Sequence, residues 1–207
     1  LYEAEADFGG VWNASADCGR VYQSAHLISP KSNTQFPDFP MPDHYPDYPN
    51  NQLMLDYIRA YAAQYEVHKR AKFNTRVQSI TPSEDSWQVK LDSGAVEQYS
   101  MVYVCNGAQR IPRYPDPAYP GNEHIESMHS MEYHSADQLR GKRVLVIGAG
   151  NSGCDIAIDA AHHADKVFMS TRRAYYFQPK YIDGMPTPEW MMQLGNKFKT
   201  REETLAY

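Results

Sequence analysis

The stretch from Arg143 to Arg173, RVLVIGAGNSGCDIAIDAAHHADKVFMSTRR, decides the fold. It begins with a short apolar run, Val144 to Ile147, the length of a buried strand and too short for a core helix. Glycines follow at Gly148, Gly150 and Gly153, then a helical pattern, then a second strand-like run from Lys166 that ends in two arginines. The order strand, glycine turn, helix, strand predicts a βαβ unit with parallel strands. A GxGxxG spacing alone is weak, but placed between a strand and a helix it reads as a dinucleotide fingerprint. Gly148 permits the tight turn, Gly150 lets a pyrophosphate approach the backbone, and Gly153 lets helix and strand pack closely. The helix start supplies N–H groups and a positive dipole end, with Asn151 and Ser152 as added side-chain donors. No GK[ST] ends the glycine run, so it is not a P-loop. A glycine-rich turn that binds nothing is the plainer alternative.

The tip of the second strand chooses the nucleotide. An NAD or FAD site usually carries an acid about 20 residues after the glycines, where it meets a ribose hydroxyl. Here Ser170, Thr171, Arg172 and Arg173 stand instead, with no acid among them. Guanidiniums and hydroxyls suit a 2′-phosphate, which an acid would repel, so NADP(H) is the expected ligand. A solvated basic strand end is the competing reading.

Upstream, LYEAEADFGGVW (Leu1 to Trp12) reads as a strand that ends in a glycine turn. Glu3 stands where the acid after a second Rossmann strand would lie, a weak hint of another dinucleotide site. The proline–aromatic text from Phe36 to Asn50 excludes helix and central strand and predicts an extended, ordered loop. A helix capped by Asn50 or Asn51 follows, with Met54, Ile58, Tyr61 and Tyr65 as its apolar face. Three strand-like runs then predict a small antiparallel meander whose last strand ends at Gly107. A second proline cluster, Pro112 to Pro120, places a domain boundary between there and Arg140. The tail beyond Pro179 reads as loop followed by a helix. The fold class is therefore α/β.

Composition narrows the function. The 207 residues hold 20 Lys and Arg against 25 Asp and Glu, a net charge of −5, with no basic stripe for a phosphate backbone, which argues against nucleic acid. No apolar run approaches the ~20 residues of a membrane span. Three unpaired-looking cysteines, Cys18, Cys105 and Cys154, suit a reducing compartment, so a cytoplasmic location is expected. Cys154 reads as a packing residue where helix meets sheet. The histidines His124, His129, His134, His162 and His163 lack zinc-ligand patterns, so no metal is expected. The start at Leu1, without signal-peptide features, suggests an internal fragment.

Several segments together resemble the flavin-containing monooxygenases. GGVW at Gly9 to Trp12, FPDFPMP at Phe36 to Pro42, VCNG at Val104 to Gly107, HSMEY at His129 to Tyr133 and GAGNSGCDIA at Gly148 to Ala157 carry the likeness, in the family's order and at similar spacing. The resemblance implies a partial two-dinucleotide-binding-domain, Rossmann-like flavoprotein. Residues 1–135 would form an FAD-binding domain without its first βα finger, and 136–207 part of an NADP-binding domain. Glu3 would hold the FAD ribose, Gly10 and Trp12 would lie along the cofactor, Val77 would meet the adenine through its backbone, and Gly107 would let a strand end approach FAD. The implied reaction inserts one atom of O2 into a soft nitrogen or sulfur nucleophile through a flavin C4a-hydroperoxide, with NADPH as reductant and a small molecule as substrate. The alternatives are a Baeyer–Villiger or N-hydroxylating enzyme, or a non-catalytic NADPH-binding module. Glu123 and Ile125 depart from the family's Phe and Gly before His129, and Ile28 stands where many members carry Asn. No catalytic residue is therefore assigned, and a homo-oligomer stays open.

Overall fold

In the computed structural model, which describes residues 1–197, the elements follow in the order α1 (Lys31–Thr34), α2 (Asn51–Gln64), β1 (Val77–Ser83), β2 (Ser86–Leu91), β3 (Val96–Tyr99), β4 (Arg143–Ile147), α3 (Asn151–His163), β5 (Lys166–Ser170), β6 (Tyr181–Ile182), β7 (Met185–Pro186) and α4 (Thr187–Lys197). Short 3-10 turns, among them Gly10–Trp12 and Ser130–Glu132, lie between them. The chain divides into two compact units. The first holds Leu1–Gln23 and Asn51–Ser135, the second Ser24–Asn50 and Ala136–Tyr207. The proline–aromatic loop thus groups with the second unit, and one break between the units falls between Ser135 and Ala136.

In the first unit, β1, β2 and β3 form an antiparallel meander in that order. Val77 faces Leu91 across β1 and β2, and a register shift follows between Val77 and Ser79. Alternation along β2 buries Val89 and Leu91 on one face and exposes Lys90 on the other, while Trp87, at the start of the strand on the same face as Val89, stays 40% exposed. The N-terminal strand is reduced to a parallel bridge between Tyr2 and Lys72. Its tyrosine reaches β3, where Tyr2 and Tyr99 both donate to the Glu97 carboxylate. Helix α2 forms where expected, but its buried residues are Met54, Leu55, Tyr57 and Ala62. Tyr65, assigned to the apolar face from its spacing, lies past the helix end and is 47% exposed.

One expectation fails in this unit. The meander's last strand stops at Tyr99, not Gly107. Met101, Tyr103 and Val104 are strongly exposed, and no ladder pairs them among the described residues. An apolar β-rich run becomes a strand only where a neighbour accepts its hydrogen bonds.

In the second unit, β4 and β5 pair in parallel from Arg143 with Lys166 to Ile147 with Ser170, joined by α3. Helix α3 covers one face of the pair, burying Val146 and Ala160, and Leu145 and Ile147 are more than half exposed. The proline–aromatic loop is ordered around Pro30 and Pro49, both fully buried. Lys31 holds it from inside, its Nζ donating to the carbonyls of Pro42, Asp43 and Tyr45 at 3.4, 3.0 and 2.7 Å. Prolines carry no N–H, so a lysine with three donors adds hydrogen bonds that a proline-rich backbone cannot supply, sharing the Pro42 carbonyl with the Tyr45 N–H. The hairpin β6–β7 turns on Asp183 and Gly184, both at positive φ, the two-residue pattern favoured by tight hairpins. No helix among the described residues is long and apolar enough to cross a membrane.

Candidate functional site

The glycine finger of the second unit has the geometry its sequence requires. Gly148 sits at φ +107, a conformation that side-chain-bearing residues rarely adopt, and its N–H extends the sheet by donating to the Ser170 carbonyl at 2.9 Å. A Cβ on Gly153 would lie 2.5 Å from the Gly148 carbonyl oxygen, so only glycine lets α3 pack this closely against the turn. Gly150 is the N-cap of α3, accepts the first helical bond from Cys154 at 2.9 Å, and has no heavy atom within 4 Å of where a Cβ would stand. No side chain caps the helix, so its first N–H groups face the open side of Gly150. A close-packed turn, an open glycine and an uncapped helix start are what a pyrophosphate needs, and the residues fit that group.

Ser170 pairs with Ile147, the residue before Gly148, so the finger and the tip of β5 share the carboxyl end of the parallel strands. That is where open α/β sheets bind ligands. Ser170, Thr171, Arg172 and Arg173 are all exposed there, and the tip carries no carboxylate. Asn151 is exposed and Ser152 half-buried in the first turn of α3.

The candidates of the first unit fall into two groups. Glu3 is held by its backbone, donating to the Lys72 carbonyl at 3.0 Å and accepting from Thr75 at 2.9 Å, two residues before Val77. Its carboxylate Oε1 accepts from the Glu5 N–H at 2.9 Å. Glu3 and Val77 therefore belong to one corner. Gly10, at φ +50 with open space around it, begins the turn that sets Trp12 beside a cleft of about 240 Å³. Asn13, Ser15, Asn51, Leu55 and Arg59 line the rest of it. Gly107, at φ +71, also faces open space. Gly10 and Gly107 thus each leave room for a close approach to the backbone, and Trp12 supplies an aromatic face to the cleft.

No sequence pattern singles out the two arginines that brace this unit. Arg20 donates through its backbone to the Val11 carbonyl and through its guanidinium to the carbonyls of Gln109 and Arg110, at 3.2 and 3.3 Å, tying the segment after Gly107 to the Trp12 turn. Arg59 on α2 pairs with Asp7 at 2.7 Å. Cys18 lies near Glu5 and Glu3, and burial first, then those two carboxylates, push its thiol pKa up. Glu5 Oε1 is buried with no hydrogen-bond partner among the described residues. His129 and Tyr133 have structural duties: the His129 ring accepts from Met131 N–H while Glu132 accepts from His129 N–H, and Tyr133, 2% exposed, packs on Tyr22. Among the described residues, no three His, Cys, Asp or Glu are grouped to hold a metal ion.

Fold and site define an α/β protein of the two-dinucleotide-binding-domain type, with a glycine finger in the second unit and a cleft of about 240 Å³ in the first. The chain belongs to the flavin-binding monooxygenase-like family, whose model matches residues 1–201. It is 36% identical over 96% of its length to flavin-containing monooxygenase 3 of Oryctolagus cuniculus and spans 40% of that relative. Its fold is similar to that of the S-allyl-L-cysteine S-oxygenase of Allium sativum, with a TM-score of 0.74 at 23% identity over 89% of this chain and 48% of the other. OTEMO, solved in complex with FAD and NADP, matches at TM-score 0.63 and 26% identity over 83% of this chain and 34% of the other. The chain thus spans less than half the length of these proteins.

Proposed function

We propose that this chain carries the nucleotide-binding parts of an NADPH- and FAD-dependent monooxygenase that oxygenates a soft nitrogen or sulfur nucleophile. The observation that carries the NADPH part is the shared strand end, where an open, uncapped glycine finger stands beside Ser170, Thr171, Arg172 and Arg173 with no acid between them. Residues 136–207 bind NADP(H) and residues 1–135 contribute to FAD binding. Gly148, Gly150, Asn151, Ser152 and Gly153 seat the pyrophosphate, and the β5 tip takes the 2′-phosphate. Glu3, Gly10, Trp12, Val77 and Gly107 form the FAD contacts. When bound, FAD accepts a hydride from NADPH and activates O2, so one oxygen atom enters the substrate and the other leaves as water. The chain's own contribution is orientation and exclusion of water, in keeping with a cleft that holds no acid, base and nucleophile set. The nitrogen or sulfur class is supported by relatives such as the N-oxide-forming dimethylaniline monooxygenase 2 of Pan troglodytes, 36% identical over 96% of this chain.

The test uses the full-length protein. Calorimetric titration should show NADP⁺ bound at least about tenfold more tightly than NAD⁺, a difference of about 1.4 kcal/mol. Turnover with NADPH should yield a sulfoxide or N-oxide from a thioether or tertiary amine. Equal affinity for both nucleotides rejects the 2′-phosphate site, and an ester or lactone from a ketone, with no oxidation of thioether or amine, rejects the substrate class.

A further inference from the structure

The two arginines at the end of β5 have different surroundings. The Arg173 guanidinium carbon lies 5.5 Å from the centroid of the Tyr175 ring. Tyr175 in turn stacks on Phe177, with centroids 6.5 Å apart and planes inclined by 30°. Arg172 makes no ion pair or ring contact among the described residues. Tyr175 is 45% exposed and Phe177 64%, so neither ring is buried among the described residues. Exposed rings stacked in series with a guanidinium need another reason to be there.

We propose that Tyr175, backed by Phe177, is a positioning residue that makes Arg173 the 2′-phosphate selector. The proposal rests on the reading of this strand end as an NADP(H) site. A ring attracts a guanidinium through its face, whereas phosphate is held by N–H groups along the guanidinium edge. Arg173 can therefore keep Tyr175 and accept a phosphate together. An arginine already restrained by a ring loses less rotamer freedom when the ligand arrives, and preorganisation of this kind raises affinity without a new contact to the ligand. Phe177 extends the ladder and holds the tyrosine ring. Arg172, without such support, supplies charge but not a preset geometry.

The test titrates the full-length protein with adenosine 2′,5′-bisphosphate and with adenosine 5′-monophosphate, which differ only in the 2′-phosphate. The wild type should prefer the bisphosphate. Tyr175→Ala should weaken the bisphosphate about threefold, the usual size of an exposed cation–π contact, and leave the monophosphate unchanged. Tyr175→Phe keeps the ring face and should keep the affinity. In an Arg173→Ala background, Tyr175→Ala should have no further effect, because its action passes through the missing arginine. Equal weakening of both nucleotides by Tyr175→Ala, an undiminished effect in the Arg173→Ala background, or no effect at all would overturn the role of Tyr175 while the wild-type preference upheld the site. A wild type that does not distinguish the two nucleotides would remove the site itself and the proposal with it.

Discussion

A Cβ on Gly153 would meet the carbonyl oxygen of Gly148 at 2.5 Å, a distance that real side chains do not tolerate, and the obstacle is backbone. Gly150, three residues earlier, has φ −76 and nothing within 4 Å. The fingerprint therefore separates a packing glycine from a ligand-facing one. Gly153→Ala should destabilise the protein by about 1–3 kcal/mol, as overpacking does, seen as a lower urea midpoint. Gly150→Ala should change stability by less than about 1 kcal/mol, since lost cap propensity and reduced unfolded-state freedom oppose each other. Its methyl group would nevertheless stand where the pyrophosphate approaches, so NADP⁺ affinity should fall. A Gly150→Ala protein with full affinity would move the phosphates away from this glycine.

Glu97 offers a pH handle. Tyr2, Tyr99 and Lys72 all donate to its carboxylate, and these bonds, the tyrosines' first, lower its pKa from 4.5 to about 2. A carboxylate more acidic in the folded state adds stability above its unfolded pKa and loses it as pH falls toward its folded value. The urea midpoints of wild type and Glu97→Gln should differ by a constant amount down to about pH 4.5 and converge between there and about pH 2. A gap that persists at pH 2 would mean that the charge is not what Glu97 contributes. Tyr99, whose pKa is raised chiefly by the same carboxylate, should stay protonated well above the ordinary tyrosine range.

Lys31 is the internal clasp of the proline–aromatic loop. Lys31→Met removes charged hydrogen bonds to the carbonyls of Asp43 and Tyr45 and a longer one to Pro42, and should cost about 1–3 kcal/mol. Limited proteolysis should then cut within residues 36–50 faster than in the wild type, with thermal melts reporting the stability loss.

The βαβ unit was legible because each of its signals is local: a five-residue apolar strand, glycines at fixed offsets, a helix and a second strand. The turn at Asp183 and Gly184 is an equally local hairpin signal, but its flanking strands of two residues each are too short for periodicity to separate them from loop. Other features depended on partners distant in sequence. Met101 to Cys105 has strand composition, but pairing requires a neighbour that composition does not supply. Arg20 meets Gln109 and Arg110 some 90 residues away, and no spacing rule announces that encounter. The inner face of α2 runs through Met54, Leu55, Tyr57 and Ala62 because what packs against a helix, and not its own apolar spacing alone, decides which residues are covered. The candidate NADP(H) residues were readable one by one, and what the sequence left out was the ladder from Arg173 to Phe177, a matter of ring orientation.

The cysteines make a last, independent check on the first unit. Cys105 lies in the exposed apolar run, and Cys18 is half-buried beside Glu5 and Glu3. Burial and then the two carboxylates hold the Cys18 thiol protonated, and only the thiolate attacks an alkylating reagent. At pH 8, iodoacetamide followed by peptide mass analysis should therefore label Cys105 at least about tenfold faster than Cys18. Glu5→Gln removes one of the opposing charges and gives the buried Oε1 position an uncharged group, so Cys18 should react faster in that variant with Cys105 unchanged. If Cys18 instead led in the wild type, the corner that holds Glu3 would be open to solvent, and its carboxylate would not be fixed in place for a ribose.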